Sequence, residues 1–209
     1  MAEATAADNG EGIWPPLSAC QLSSTDISII EEAMSLAEDY IWYSLLRRFK
    51  PNELIGLPRK FLDLQAPPSI TLNTLRRMVT IIEVDNPDLS QLLNTTLIIT
   101  PATAYSTFVH TAHVIFQNGT NWGRIVAFYK FAGAVAHHLV KKQRSDMVQH
   151  VVNWTVIYIV ENLLPWIREQ GGWDAFVAYF PEQTDTRRKT MLALGSILAA
   201  CLTFLVFYK

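Results

Sequence analysis

The chain has 209 residues, half of them hydrophobic, and a formal net charge of −2, so it can bury one substantial core. This balance argues against a nucleic-acid partner, and the pairs Arg47-Arg48 and Arg76-Arg77 are interpreted as solvated helix faces. The two cysteines lie far apart in the sequence and the N-terminus has no basic-then-apolar pattern, which argues against a disulfide framework and a secretory signal.

The first predicted elements are an arm and a long amphipathic helix. Residues 1–24 are small and polar and include adjacent prolines, which is typical of a flexible arm. Ser24, Thr25 and Asp26 offer caps for a helix that runs to about Phe49, because apolar side chains recur at spacings of three and four. We expect this helix to pack its apolar face against a core.

The next stretch is interrupted by prolines. Residues 50–69 are therefore predicted to be a loop, and residues 70–85 a second helix with one apolar stripe. Short helical material is predicted at residues 88–95.

Two helices are predicted in the middle of the chain. Thr100 as a cap and Pro101 as the first helical residue predict a helix that ends near Gln117. Residues 121–140 are apolar around most of their circumference, which indicates a helix surrounded by others. We expect this segment to be the central helix of the domain.

The last part of the domain is also helical in pattern. Residues 146–161 predict another apolar helix, and residues 165–180 predict two short helices hinged at Gly171-Gly172. These elements predict an all-α fold, a globular bundle of about eight helices around a buried central hydrophobic helix, with domain limits at 25–181.

The final apolar run, residues 191–208, contains no charged residue. About 18 residues at a rise of about 1.5 Å span roughly 27 Å, close to the hydrocarbon thickness of a bilayer. A basic linker, residues 182–190, precedes the run. We predict a C-terminal transmembrane anchor that leaves the rest of the chain facing the cytosol; the alternative is a helix folded into an apolar groove of its own domain.

Three motifs give the sequence a family resemblance. Residues 121–128 (NWGRIVAF) resemble the first homology motif of the B-cell lymphoma-two (Bcl-two) family of apoptosis regulators. Residues 165–167 (PWI) with 171–177 (GGWDAFV) resemble the second, and residues 39–46 resemble the fourth. The resemblance covers roughly residues 26–208 and implies the Bcl-two-like fold and a regulatory role.

The residue types of the first motif also suit a binding site on physical grounds. Asn121 can cap the buried helix, and Gly123 lets another backbone approach. Arg124 places a guanidinium in the first turn, where it can pair with a carboxylate. From the residues alone, an internal ion pair is an equal alternative for Arg124.

The resemblance implies that Arg124 pairs with the Asp of a partner's third-motif (BH-three) helix, whose apolar side chains fill pockets between helices. Each wall residue could equally be ordinary core. The implied walls are Ile82, Leu89, Leu93, Phe108, Val114, Ile115, Val126, Ala127, Phe131 and Phe180. The residues implied to pack around the second motif are Trp166, Gly171, Gly172 and Trp173.

The chain's own third motif, expected within residues 70–85, departs from the family pattern. Leu75, Met78 and Ile82 match apolar positions, but Val79 replaces a small residue and Thr80 replaces the Asp. A poor donor helix with an intact receiving site favours the pro-survival branch over Bax/Bak-type effectors, which must insert their own motif into a neighbour and permeabilise the outer mitochondrial membrane.

The partners expected from the resemblance are third-motif helices of pro-apoptotic relatives, both BH-three-only and Bax/Bak-type proteins. The expected location is the mitochondrial outer membrane, with the endoplasmic reticulum membrane and the cytosol as alternatives. The membrane partner would be reached through residues 191–208.

Other function classes find little support. His110 and His113 share a helix face without a cysteine pair or clustered carboxylates to complete a metal site, and no nucleophile or phosphate-loop motif occurs. We therefore expect no enzyme activity, cofactor, metal or small-molecule substrate. A rival hypothesis is a membrane hairpin formed by residues 121–140 and 147–160, in which Lys130 would be costly.

Overall fold

The structure is a computed structural model and describes residues 22–54, 68–85 and 103–181. Within these residues every regular element is helical, which confirms the all-α prediction. The α-helices are α1 (Ser24–Leu46), α2 (Ile70–Asp85), α3 (Ala104–Phe116), α4 (Trp122–Lys141), α5 (Val148–Tyr158), α6 (Leu164–Gln170) and α7 (Trp173–Tyr179). Short 3-10 turns lie at Pro51–Glu53 and Ser145–Met147, and a π-turn lies at Ile159–Leu163.

The seven α-helices of the described part differ from the predicted count of about eight. The predicted helical material at residues 88–95 and the predicted anchor at residues 191–208 both lie outside the described residues. None of the described helices combines the length and the hydropathy required to cross a bilayer.

Helix α4 is the centre of the bundle, as its composition predicts. Its side chains are buried almost throughout, and it packs against α1, α2, α3 and α5. A helix that is apolar on all sides exposes apolar surface to water unless other elements cover every side. This packing therefore follows from the sequence pattern.

Helix α1 begins one residue away from its predicted caps. Its N-cap is Ser23, whose hydroxyl accepts a hydrogen bond from the Asp26 amide, while the Asp26 carboxylate accepts from the Ser23 amide, both at 3.1 Å. Asp26 therefore completes a capping box at the third helical position. The helix ends at Leu46, before the predicted Phe49, because the Arg48 amide donates to the Leu45 carbonyl three residues back.

Helix α2 has its predicted limits, but α3 starts later than predicted. Thr103 accepts the first helical hydrogen bond, from the Thr107 amide at 2.9 Å, so the helix begins at Ala104 and not at Pro101. Thr100 and Pro101 lie outside the described residues.

The predicted helix 146–161 is a composite of three elements. A 3-10 turn leads into α5, and a π-turn joins α5 to α6. Pro165 occupies the start of α6 and has no backbone N–H to donate, which favours an irregular turn before it. The Asn162 side-chain amide donates to the Tyr158 carbonyl at 3.1 Å within this turn.

Candidate functional site

The N-terminus of α4 presents one guanidinium at the surface. The exposed Asn121 adopts an extended conformation and its side chain accepts the Arg124 amide at 2.8 Å, which confirms it as the cap. Gly123 is buried and Arg124 is half-buried. The cap therefore fixes Arg124 in the first helical turn, where a backbone rich in free N–H groups favours negative charge.

The Arg124 guanidinium has spare hydrogen-bonding capacity. Its Nη1 donates to the Gly119 carbonyl, and its Nε is buried without a hydrogen-bond partner in the described part of the chain. No described carboxylate forms an ion pair with it, so the internal ion pair allowed by the sequence is not seen among residues 22–54, 68–85 and 103–181. An arginine carries five N–H donors, so this side chain can still receive a carboxylate.

The described wall residues come from four parts of the fold, and most of them are buried. Val114 is half-buried, and Leu89 and Leu93 lie outside the described residues. The fully buried members are Ile82 of α2, Phe108 and Ile115 of α3, Val126, Ala127 and Phe131 of α4, and Phe180 after α7. In the free chain these side chains are therefore part of the hydrophobic core. This is the alternative to a groove wall that the sequence left open for each of them.

Two of these walls already contact each other. The Phe108 ring lies 5.3 Å from the Phe131 ring and 5.8 Å from the Phe128 ring, which joins α3 to α4. The Phe180 ring lies 5.3 Å from Phe176, at the end of α7. Aromatic pairs at these distances contribute attraction beyond that of burial alone, so they stabilise the contact between α3 and α4.

The chain's own third motif faces inward. Leu75, Met78, Val79 and Ile82 are buried against α1, α4 and α7. Thr80 is half-buried, and its hydroxyl donates to the Arg76 carbonyl at 2.8 Å, one turn back in the same helix. The position where the family pattern has an acid is thus used for a bond within α2.

The first and second motifs meet in an aromatic cluster. Trp122 lies edge-on to Trp166 at 4.8 Å and 6.0 Å from Trp173, whose indole N–H donates to the Ile29 carbonyl of α1 at 3.0 Å. The structure thus brings together the residues implied to pack around the second motif.

Two glycines shape the turn between α6 and α7. Gly171 has a φ of 99° and Gly172 a φ of 77°, values that side-chain-bearing residues rarely adopt. The Gly171 amide donates to the Arg168 carbonyl at 3.0 Å and ends α6 in a left-handed cap. These two positions allow the sharp turn that returns Trp173 toward α1.

A cluster of four charged residues was not anticipated from the sequence. Glu83 of α2 accepts hydrogen bonds from Lys130 of α4, from Arg48 at 3.2 Å and from Arg47 at 3.5 Å. We call these four residues the Glu83 cluster. The side chains of Arg47 and Arg48 are exposed, in agreement with the interpretation as a solvated face, and they also link the C-terminal end of α1 to α2.

Electrostatics within the Glu83 cluster follow from burial and charge. Burial opposes ionisation of Glu83, but the nearby Lys130, Arg48 and Arg47 outweigh it, so the pKa of Glu83 lies below its usual 4.5. Burial also lowers the pKa of Lys130 below 10.5, and Glu83 counteracts this only in part. The available signal was a lysine in the middle of an apolar helix, since a charge buried there requires a partner.

The second basic pair also has structural partners. The Arg76 guanidinium stacks over the Tyr43 ring at 4.1 Å, and Arg77 donates to the carbonyls of Phe180 and Pro181 beyond α7. Arg77 thereby caps the C-terminal end of α7 with a side chain from α2. Both side chains are half-buried, so the interpretation as a solvated face holds only in part here, because their alkyl stems and guanidinium groups also pack against the protein.

Comparison with known proteins supplies the family context. Residues 75–173 match the family model described as apoptosis regulator proteins, Bcl-2 family. Bcl-2-like protein 1 of Rattus norvegicus is 45% identical over 85 residues, which cover 41% of this chain and 36% of that protein. Apoptosis regulator R11 of Xenopus laevis is 35% identical over 116 residues, 55% of this chain and 57% of that protein. Apoptosis regulator Bcl-2 of Gallus gallus is 36% identical over 112 residues, 50% of this chain and 48% of that protein.

Proposed function

The chain belongs to the Bcl-2 family of apoptosis regulators, and we propose from this premise that it binds the third-motif helix of a pro-apoptotic relative in an apolar groove beside Arg124. The observation that carries the proposal is the Arg124 guanidinium, half-buried at the start of α4 and without a carboxylate partner among the described residues. A carboxylate on an incoming helix would satisfy it and fix the register of that helix. The role is regulatory binding and not catalysis.

The burial of the wall residues bears on how such a helix would enter. Because Phe108, Val126 and Phe131 are buried in the free chain, a partner can reach them only after the surface above them opens. The observed affinity would then equal the intrinsic affinity reduced by the fraction of open molecules. We therefore expect the association rate to be lower than that of a preformed site.

The state of α2 supports the pro-survival assignment within this proposal. An effector must expose its own third motif, which here means uncovering Leu75, Met78, Val79 and Ile82. At about 1.5–3 kcal/mol for each side chain, exposure of this stripe costs on the order of 10 kcal/mol as an upper limit. Once exposed, α2 would present Thr80 at the position where the family pattern has the Asp that pairs with the Arg of a receiving protein.

The groove hypothesis is tested by titrating the protein with a labelled third-motif peptide of a Bak-type relative. Arg124→Ala is expected to weaken binding by about 2–5 kcal/mol, because it removes one partner of a desolvated charge pair. Arg144→Ala is the matched control, since Arg144 already pairs with Asp146 at 2.8 Å. Equal affinity of Arg124→Ala and the unaltered chain, or no binding by either, would reject the groove beside Arg124.

The alternative function is a Bax/Bak-type effector that oligomerises and permeabilises the outer mitochondrial membrane. Release of a dye from liposomes separates the two roles: a pro-survival protein should release none and should block release by an effector. Release by the protein itself, alone or after an activating peptide, would favour the effector.

We further propose that residues 191–208 anchor the chain in the mitochondrial outer membrane, with the endoplasmic reticulum as the alternative membrane. The support is an uncharged apolar run preceded by basic residues. Carbonate extraction of the full chain and of a chain ending before residue 188 tests this anchor. Extraction that is unchanged by the deletion would contradict it.

A further inference from the structure

We propose that Glu83 is a positioning residue, whose pairing with the buried Lys130 fixes α2 against α4 in the register that a partner helix requires. The inference rests on the proposed helix-binding function. It assigns a role to the Glu83 cluster, which makes no contact with Arg124 among the described contacts.

Lys130 is unfavourable where it stands unless Glu83 is present, and Glu83 in turn gains most from this buried partner. Glu83 lies in the last turn of α2, where the helix dipole disfavours a negative charge. The Lys130 side chain is 6% exposed in the middle of the apolar α4 and loses most of its hydration. The buried charge of Lys130 is stabilised when it meets Glu83, whose carboxylate also pairs with the exposed Arg47 and Arg48.

The Glu83–Lys130 pair restricts how α2 can lie along α4. The pair forms in one placement of α2, because sliding the helix by one turn moves Glu83 by about 5.4 Å and separates the charges. The apolar stripe of α2 restricts the register less sharply than the ion pair does, because the hydrophobic effect is non-directional. The ion pair therefore supplies the register, in the way that single buried polar contacts do between helices.

The Glu83–Lys130 pair lies next to residues of the proposed groove. Ile82 precedes Glu83 on α2; on α4, Val126 lies about one turn before Lys130 and Phe131 directly follows it. Arg47 and Arg48 bring the end of α1 to the same carboxylate, at 3.5 Å and 3.2 Å. Displacing α2 would therefore shift one wall of the groove relative to the other.

The test compares three variants of the full chain: Glu83→Gln, Lys130→Met and the double variant Glu83→Leu/Lys130→Met. The double variant replaces the pair with apolar side chains, which commonly preserves stability, and so remains informative if a single variant unfolds. The matched control is Arg144→Met/Asp146→Asn, which removes an exposed pair at 2.8 Å. Urea unfolding, hydrogen exchange of the α2 amides and the Kd for the labelled Bak-type peptide are measured for each.

We expect the double variant to unfold at a urea concentration similar to that of the unaltered chain and yet to bind the peptide about three- to thirty-fold more weakly. We also expect faster exchange of the α2 amides than in the control. A purely structural role would instead change the unfolding midpoint and leave the Kd of the folded protein the same. Unaltered Kd in the folded double variant overturns the positioning role, although the groove itself would stand.

Failure of the proposed function gives a different pattern. If the unaltered chain binds no third-motif peptide, the groove hypothesis fails. Hydrogen exchange of the α2 amides still tests whether Glu83 fixes the register of α2. Protection of α2 that equals the control in every variant would overturn that role.

Discussion

Mild acidification should destabilise the fold through one buried histidine. The His137 ring is 5% exposed in α4, and its Nε2 lies 2.9 Å from the Ser44 carbonyl oxygen of α1. Burial lowers the pKa of His137 from 6.5 to about 4; the Ser44 carbonyl opposes this shift, whereas the charges of Arg48 and Lys130 reinforce it. The folded state therefore holds a neutral ring that donates through Nε2.

The sign and the size of the effect follow from linkage between protonation and folding. Between a pKa of 6.5 in the unfolded chain and about 4 in the folded chain, the unfolded state binds more protons. Stability is therefore fully present above the unfolded value and is lost as the pH falls. The linkage relation gives a loss of about 2 kcal/mol between about pH 7 and about pH 5, and about 3 kcal/mol by about pH 4.

The assay is urea unfolding at a series of pH values. His137→Gln keeps a side-chain N–H that can donate to Ser44 but cannot titrate, so its free energy of unfolding should change less with pH, by about 2 kcal/mol at about pH 5. The exposed His150→Gln is the control and should follow the unaltered chain. Measurements stay above about pH 5, because Glu83 titrates below 4.5. Parallel pH curves for His137→Gln and the unaltered chain would refute the reasoning.

Two further predictions concern close packing against α1. Gly133→Ala should destabilise the protein by about 1–2 kcal/mol in urea unfolding, because overpacking exceeds the gain in helix propensity; a Cβ there would lie 3.1 Å from the Tyr40 ring and 3.2 Å from the Ser44 hydroxyl. An unchanged midpoint would mean that both neighbours can yield. Trp173→Phe removes the donor to the Ile29 carbonyl and should cost about 1–3 kcal/mol, measured in the same way; a cost below about 0.5 kcal/mol would contradict a structural role for that bond.

Local signals made much of the fold predictable. The limits of α2 and the central position of α4 follow from hydrophobic periodicity, and the Asn121 cap follows from residue type. The start of α3 was predicted too early, since a Thr-Pro pair signals a possible helix start without excluding a later one at Ala104. Periodicity thus locates an element better than it locates the residue at which the element ends.

Long-range pairing was not predictable from the same signals. Lys130 meets Glu83 across 47 residues, and His137 meets Ser44 across 93 residues. Periodicity identifies the buried face of a helix but not the polar group that it will meet there. For the same reason, the sequence could not decide whether Phe131 lines an open groove or belongs to the core, and the structure places it in the core of the free chain.

The polar residues of α4 also bear on the rival hypothesis of a membrane hairpin. Transfer of α4 into lipid would separate Lys130 from Glu83 on α2 and His137 from the Ser44 carbonyl on α1. A charged lysine at the centre of a bilayer costs about 2.5–3.5 kcal/mol or more, so α4 would have to enter with Lys130 neutral or with Glu83 beside it. Burial lowers the pKa of Lys130 and the neighbouring carboxylate opposes that shift, so separation from Glu83 within lipid would favour the neutral lysine. Transfer of α4 into lipid is therefore coupled to loss of that charge, and a Lys130→Met chain should associate with liposomes more readily than the unaltered chain.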